Sequence, residues 1–252
     1  MTNSARPRAA DVVSALGLLT RLPLPMQVRT RGALAAWAWP LAGAVIGGLA
    51  GGIGALAMLL GTGPGISAGL ALASLAVLTG ALHEDGLADS ADGLWGGWTP
   101  ERRLQIMKDS HIGTYGVVSL VLSLGLRWMA MAALFDAGIG WLALIGVATL
   151  SRVPMVALSR WLPNARAGGL SAQVGRPPQS APWLALALGM GIGAACLGTA
   201  SLAALAAVVL GAALCAVIAL RKIGGQTGDI LGATQQICEM GALVTLVALL
   251  GQ

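Results

Sequence analysis

Residues 66–82 read ISAGLALASLAVLTGAL and run without a break into residues 83–93, HEDGLADSADG. The first part is an apolar run of 17 residues, about the shortest helix that crosses the hydrocarbon core of a bilayer. The second part places Glu84, Asp85, Asp89 and Asp92 within nine positions. Extending the window to Asp109 adds Glu101 and Asp109 itself, so it holds six of the ten acidic residues in the chain. This junction decides the fold: a membrane span that delivers a concentrated patch of acid to one face.

The rest of the sequence agrees. Of 252 residues, 56% are hydrophobic and 10% charged, with a mean hydropathy of +0.80. So few charges cover a soluble globule badly and suit a bundle of membrane helices. Apolar runs fall at residues 34–60, 66–82, 117–134, 139–158, 183–199, 202–220 and 237–250. We therefore expect an all-α polytopic integral membrane bundle of about seven transmembrane helices, forming one domain over 1–252. A short interfacial helix over 11–22, stopped by Pro23 and Pro25, precedes it. Residues 221–239 read either as a loop or as the start of the last helix. Arg6 and Arg8 before an apolar run resemble a signal peptide, but no small-x-small cleavage pattern follows, so the segment is read as mature protein.

Basic residues set the orientation. Arg6, Arg8, Arg21, Arg29 and Arg31 precede the first span. Arg102, Arg103 and Lys108, then Arg160, Arg166 and Arg176, then Arg221 and Lys222 occupy alternate loops, and the turns at 62–65, 136–138 and 199–201 carry no Lys or Arg. The positive-inside rule puts the basic loops, the N-terminus and the acidic stretch on the cytoplasmic side, with the C-terminus outside. A net charge of +5 then serves orientation, anionic lipid and substrate phosphates rather than nucleic acid. The oligomeric state is open.

Smaller features fit a packed bundle. Gly43, Gly47 and Gly51 repeat at four-residue spacing, which lets a neighbouring helix approach closely. Cys196, Cys215 and Cys238 have no paired spacing and read as packing residues. Trp37, Trp39, Trp141, Trp161 and Trp183 fall at span ends as belt residues. Trp95 and Trp98 follow the carboxylates and read either as stacking platforms or as interfacial anchors. Arg127 lies deep in the third span, where a bare charge is costly, so it should face the interior and pair with an acid or a phosphate.

The chemistry starts from helical spacing. If 83–93 continues the second span as helix, Asp85, Asp89 and Asp92 share an arc of about 60°. Three carboxylates on one stripe repel unless a cation sits among them, and oxygen-only ligands favour Mg²⁺ or Mn²⁺. Glu84 points about 100° off the stripe as a weaker ligand candidate, and His83 lies nearly opposite; either becomes a base if the helix breaks at Gly86. Gly86 and Gly93 flank the stripe and admit a bulky substrate or a second helix. Arg102, Arg103 and Lys108 next to a carboxylate site suit phosphoryl transfer. The run Gly224-Gly225-Gln226-Thr227-Gly228-Asp229 is a candidate phosphate or metal cradle ahead of a helix.

These residues together resemble the cobalamin synthase family, the adenosylcobinamide-GDP ribazoletransferases. The stretch from His83 to Gly93 is similar to its H-x-D-G-L-A-D-x-x-D-G signature. The likeness extends through Thr20-Arg21-Leu22-Pro23, Arg102-Arg103, the motif from Met107 to Gly116, and the glycine-rich run to Ala233, with Gln235, Gln236 and Glu239 behind it. The resemblance implies a membrane enzyme in which a ribose hydroxyl of α-ribazole or its 5′-phosphate attacks the corrinoid-side phosphorus of adenosylcobinamide-GDP and releases GMP. Mg²⁺ is the implied cofactor. Asp85, Asp89 and Asp92, with Glu84, are the expected metal ligands, and Asp229 and His83 are further catalytic candidates. Arg102, Arg103, Lys108, Asp109, Thr114, Arg166, Thr227 and Arg21 are expected against the substrates. His111 departs from the family, where an Arg is expected. A CDP-alcohol phosphotransferase is a weaker match, because Leu94 follows Asp92-Gly93 where that family's motif needs a different continuation. A divalent-cation transporter would place its acids near mid-membrane rather than at a span end.

Overall fold

The computed structural model describes residues 6–24 and 26–251; Pro25 and the side chain of Arg29 lie outside them. Twelve α-helices and one 3-10 segment make up the described fold, with no strand among those residues. Helix α1 (Ala10–Leu19) is followed by the 3-10 segment Met26–Ala38. The bundle proper begins with α2 (Trp39–Leu59), α3 (Gly63–Thr79), α4 (Leu82–Gly96) and α5 (Pro100–Ile106). It continues with α6 (Thr114–Asp136), α7 (Gly140–Leu150), α8 (Val153–Trp161) and α9 (Leu170–Val174). Three apolar helices close the chain: α10 (Ala181–Leu197), α11 (Ala200–Ile223) and α12 (Gly228–Leu250).

Five segments are each long and apolar enough to cross a membrane: Arg31–Leu59, Thr114–Asp136, Gly140–Trp161, Ala200–Ile223 and Gly228–Leu250. Helices α3 and α10 are shorter, 17 residues each; with α3 and α4 taken as one bent span the count reaches six, against the seven expected from hydropathy. The chain is thus an all-α integral membrane protein. The most enclosed span is α7 with α8, whose apolar stretch is 83% buried, so it stands at the centre. Helix α2 packs on it through the predicted small-residue stripe. A Cβ on Gly43 would collide with the carbonyl oxygen of Ala148, and one on Gly47 with that of Leu144. Without side chains at these positions the two backbones touch, which is how dispersion replaces the hydrophobic effect between helices in lipid.

One expectation needs correction, and one open reading is decided. The acidic stretch does not continue the second span. The helix ends at Thr79, Gly80 (φ 64°) and Ala81 (φ 54°) adopt left-handed backbone, and α4 leaves at 85° to α3. The carboxylate helix therefore turns off the axis of α3 and packs along α6 and α12, from Gly113 and Gly116 beside Asp92 to Arg127 beside Glu84. The last helix starts at Gly228, well before the apolar run at 237, because the Thr227 hydroxyl accepts the Ile230 N–H at 3.2 Å and caps it.

Trp39 is a further departure. It is 3% exposed and sits inside the bundle, where the first residue of α2 meets α1, rather than in a belt. Trp37 is anchored too: its indole N–H donates to Asp11 at 2.8 Å, and Asp11 also pairs with Arg31 at 2.7 Å. These contacts pin the N-terminal helix to the bundle.

Candidate active site

Helix α4 carries its carboxylates in three different settings. Asp92 is buried, and its two oxygens accept the backbone N–H groups of Gly113 at 2.7 Å and Gly116 at 2.9 Å. It thereby caps the N-terminus of α6 from a neighbouring helix, a favourable place for an anion. Gly113 and Gly116 are needed for that approach, since a Cβ on either would run into the Asp92 carboxylate.

Asp85 is exposed and Asp89 half-buried. They face the start of α12, where Asp229 accepts from the Thr227 hydroxyl at 3.1 Å and from Arg166 Nη2 at 3.0 Å. Burial, then the charges of Asp85, Asp229 and Asp92, push the Asp89 carboxyl up to about 7, while Arg166 opposes the shift. The site is short of positive charge, and a cation or a proton is what it takes up. Gly86 permits the arrangement: a Cβ there would lie 2.8 Å from the Asp229 carbonyl oxygen, so the two helices meet backbone to backbone.

Arg166 reaches Asp229 because its loop is tied down. Gln226 N donates to Pro163 O at 2.8 Å and Ala165 N to Gln226 O at 2.9 Å, forming a short parallel bridge. The Gln226 side chain accepts from the Ser171 hydroxyl at 2.8 Å and donates to Asn164. The glycine-rich run therefore acts as a clamp for the Arg166 loop, and Thr227 as a helix cap, rather than as a free cradle.

Glu84 is placed apart from the stripe. It is buried, and its Oε1 accepts from Arg127 Nη1 at 3.1 Å and from Gln236 at 3.2 Å. Arg127 also donates to Gln236 at 2.6 Å and pairs with Glu239 at 2.6 Å. Gln235 donates to Glu239 at 2.5 Å and to Ser151 at 3.1 Å. Arg152, at the break between α7 and α8, donates to Ala148 O at 2.8 Å and lies within electrostatic reach of both glutamates. Two guanidiniums and two carboxylates thus balance inside the bundle, as expected for Arg127. Arg152 was the member that hydropathy hid, because it sits inside an apolar run with no acid near it in sequence.

His83 is 1% exposed and its Nε2 has no hydrogen-bond partner among the described residues. Burial and the charges of Arg152 and Arg127 hold it well below the usual imidazole range, so it is neutral at physiological pH. A neutral imidazole with a free ring nitrogen is able to accept a proton.

The basic residues after α4 divide in the same way. Arg103 is structural: Nε donates to Gly97 O at 2.9 Å and Nη1 to Lys222 O at 2.8 Å. Arg102, Lys108 and Thr114 are exposed and free to meet a solvent-borne ligand. Asp109 holds His111 through its ring at 2.6 Å and raises the affinity of that ring for a proton. The face of Trp95 is covered by Lys222, 4.4 Å from the ring centroid, whereas Trp98 is exposed.

Two adjoining cavities open beside the stripe. The inner one, about 190 Å³, is walled by His83, Asp85, Arg166 and Asp229. The outer one, about 490 Å³, reaches the surface at Arg21 and Gln173. Leu18, Trp39, Leu82, Leu170 and Val174 line both.

Among the described residues no three His, Cys, Asp or Glu side chains converge to cage a metal. The donor set of Asp85, Asp89 and Asp229 nonetheless suits Mg²⁺, which binds through one or two carboxylates and completes its shell with water and substrate phosphate.

These features define a polytopic α-helical membrane protein with a carboxylate and guanidinium site where α4 meets the start of α12. The chain belongs to the family described as cobalamin-5-phosphate synthase, whose model matches residues 11–247. It is 44% identical over 252 residues to the adenosylcobinamide-GDP ribazoletransferase of Bradyrhizobium diazoefficiens, covering 98% of this chain and 96% of that protein. Its identity to the protein of the same name from Brucella anthropi is 44% over 253 residues, covering 94% of this chain and 96% of that one. No solved structure matches the chain.

Proposed function

We propose that this chain transfers the cobinamide phosphate group of adenosylcobinamide-GDP to a ribose hydroxyl of α-ribazole or its 5′-phosphate. The acceptor oxygen forms a new bond to the corrinoid-side phosphorus, the bond from that phosphorus to the bridging oxygen breaks, and GMP leaves. The observation that carries the reading is the meeting of Asp85 and Asp89 with the Arg166–Asp229 pair at the wall of the inner cavity. The family membership names the reaction.

The residues take the following roles. Arg166, with Nη1 unpartnered among the described residues, binds a phosphate oxygen while held by Asp229. Arg102 and Lys108 attract the phosphates from solvent. His83, neutral and lining the inner cavity with Nε2 unpartnered among the described residues, orients the attacking hydroxyl by accepting its hydrogen bond. Asp92 holds the N-terminus of α6 in place beside the stripe. Asp85 and Asp89, with Asp229 beside them, would hold Mg²⁺, which would supply neutralisation of phosphate charge. The run of basic loops supports a site that faces the cytoplasm from the inner membrane.

The test is GMP release by purified protein given adenosylcobinamide-GDP, α-ribazole and Mg²⁺. Release that depends on both the acceptor and the cation supports the reading. Flux of a divalent cation without that reaction overturns it, as does turnover of a CDP-alcohol.

A further inference from the structure

The acceptor consists of a ribose and a flat, largely apolar bicyclic base. We infer that the base occupies the arm of the cleft between α1, the start of α2 and α9, with Trp39 donating its indole N–H to the unsubstituted ring nitrogen. This inference rests on the proposed function and assigns one substrate to one wall.

Three observations carry it. Trp39 is 3% exposed and lines both cavities, yet its Nε1 has no hydrogen-bond partner among the described residues. A buried donor left unpaired is costly, so a ligand acceptor is the natural complement. The other four residues common to both cavities, Leu18, Leu82, Leu170 and Val174, are apolar and suit a flat ring with one acceptor and no donor, while Ser14, Thr20, Thr79 and Gln173 line the outer cavity. The arm also ends at His83, Asp85, Arg166 and Asp229, so a base seated here directs its ribose toward the reacting phosphate.

The corrin ring fits less well, being far larger than the inner cavity of about 190 Å³.

The test crosses a protein change with a ligand change. Binding to purified protein in nanodiscs is measured for α-ribazole, for its indole analogue, in which the ring nitrogen is replaced by CH, and for adenosylcobinamide-GDP. Wild-type protein is expected to prefer α-ribazole over the indole analogue by roughly five- to tenfold, the usual effect of one buried hydrogen bond. Trp39→Phe keeps the apolar bulk, and it should bind both nucleosides alike while its affinity for adenosylcobinamide-GDP is unchanged. Leu170→Trp, at an exposed position on the same wall, should fill the arm and weaken α-ribazole binding at least tenfold, again sparing adenosylcobinamide-GDP.

A Trp39→Phe protein that keeps the preference for the ring nitrogen overturns the inference. So does either variant losing adenosylcobinamide-GDP rather than the nucleoside, or Leu170→Trp binding α-ribazole as wild type does. If wild-type protein makes GMP normally in these cases, only the base assignment falls. If wild-type protein makes no GMP, the proposed function itself falls.

Discussion

Asp89 and Asp92 are three positions apart on one helix and do different things. Asp92 is satisfied by two backbone N–H groups of α6, whereas no hydrogen bond offsets the charges around Asp89, whose carboxyl is pushed up to about 7. Asp89→Asn should therefore fold normally and lose on the order of 100-fold in turnover, as when a preorganised charge is removed from a transition state. Asp92→Asn should instead cost about 1–2 kcal/mol of stability through the lost helix cap, read as a lowered thermal midpoint in detergent. Because a cation competes with the Asp89 proton, divalent-cation affinity should climb as pH rises toward 7 and level off above it. Titrating Mn²⁺ binding by paramagnetic relaxation across pH 5.5–8.5 checks this, and a flat profile would contradict it. Helical spacing made the stripe legible in the sequence. It said nothing about which carboxylate a distant backbone would occupy, since Gly113 and Gly116 show their role only once α6 is set against α4.

At the scale of elements, the decisive feature is the corner between α3 and α4. Hydropathy placed α3 and every other span, because bilayer thickness fixes how long an apolar run must be. It did not show the 85° turn, since Gly80-Ala81 lies inside an apolar stretch and left-handed backbone at Ala81 is imposed by packing rather than by local preference. Turning the helix is what brings Gly86 onto α12. Gly86→Leu should push α4 away from Asp229 and Gly232, costing about 1–3 kcal/mol by overpacking. It should also abolish activity while adding no charge. An active, stable Gly86→Leu protein would show that the two helices need not touch. The start of α12 was left open in sequence because Thr227 and Asp229 are polar, and a polar first turn lowers hydropathy without lowering helicity.

Across the whole molecule, the Arg127 network joins α4, α6 and α12 through the bundle interior. Removing one member of a buried pair leaves its partner uncompensated, so Arg127→Ala should cost about 3–5 kcal/mol. Adding Glu239→Gln to Arg127→Ala should recover part of that loss, measured as the thermal midpoint. The sequence showed that Arg127 needed a partner but not which one, because Glu84 and Glu239 come from opposite parts of the chain and only the packed fold brings them together.

That network also bears on how the protein is made. Helices enter the membrane in the order of synthesis, so Arg127 and Arg152 are emplaced with Glu84 as their only acidic companion until the final helix arrives. The last helix brings Glu239 to close that charge imbalance and Asp229 to meet Arg166, so the interior pairing and the face of the site are completed together, by the final element of the chain.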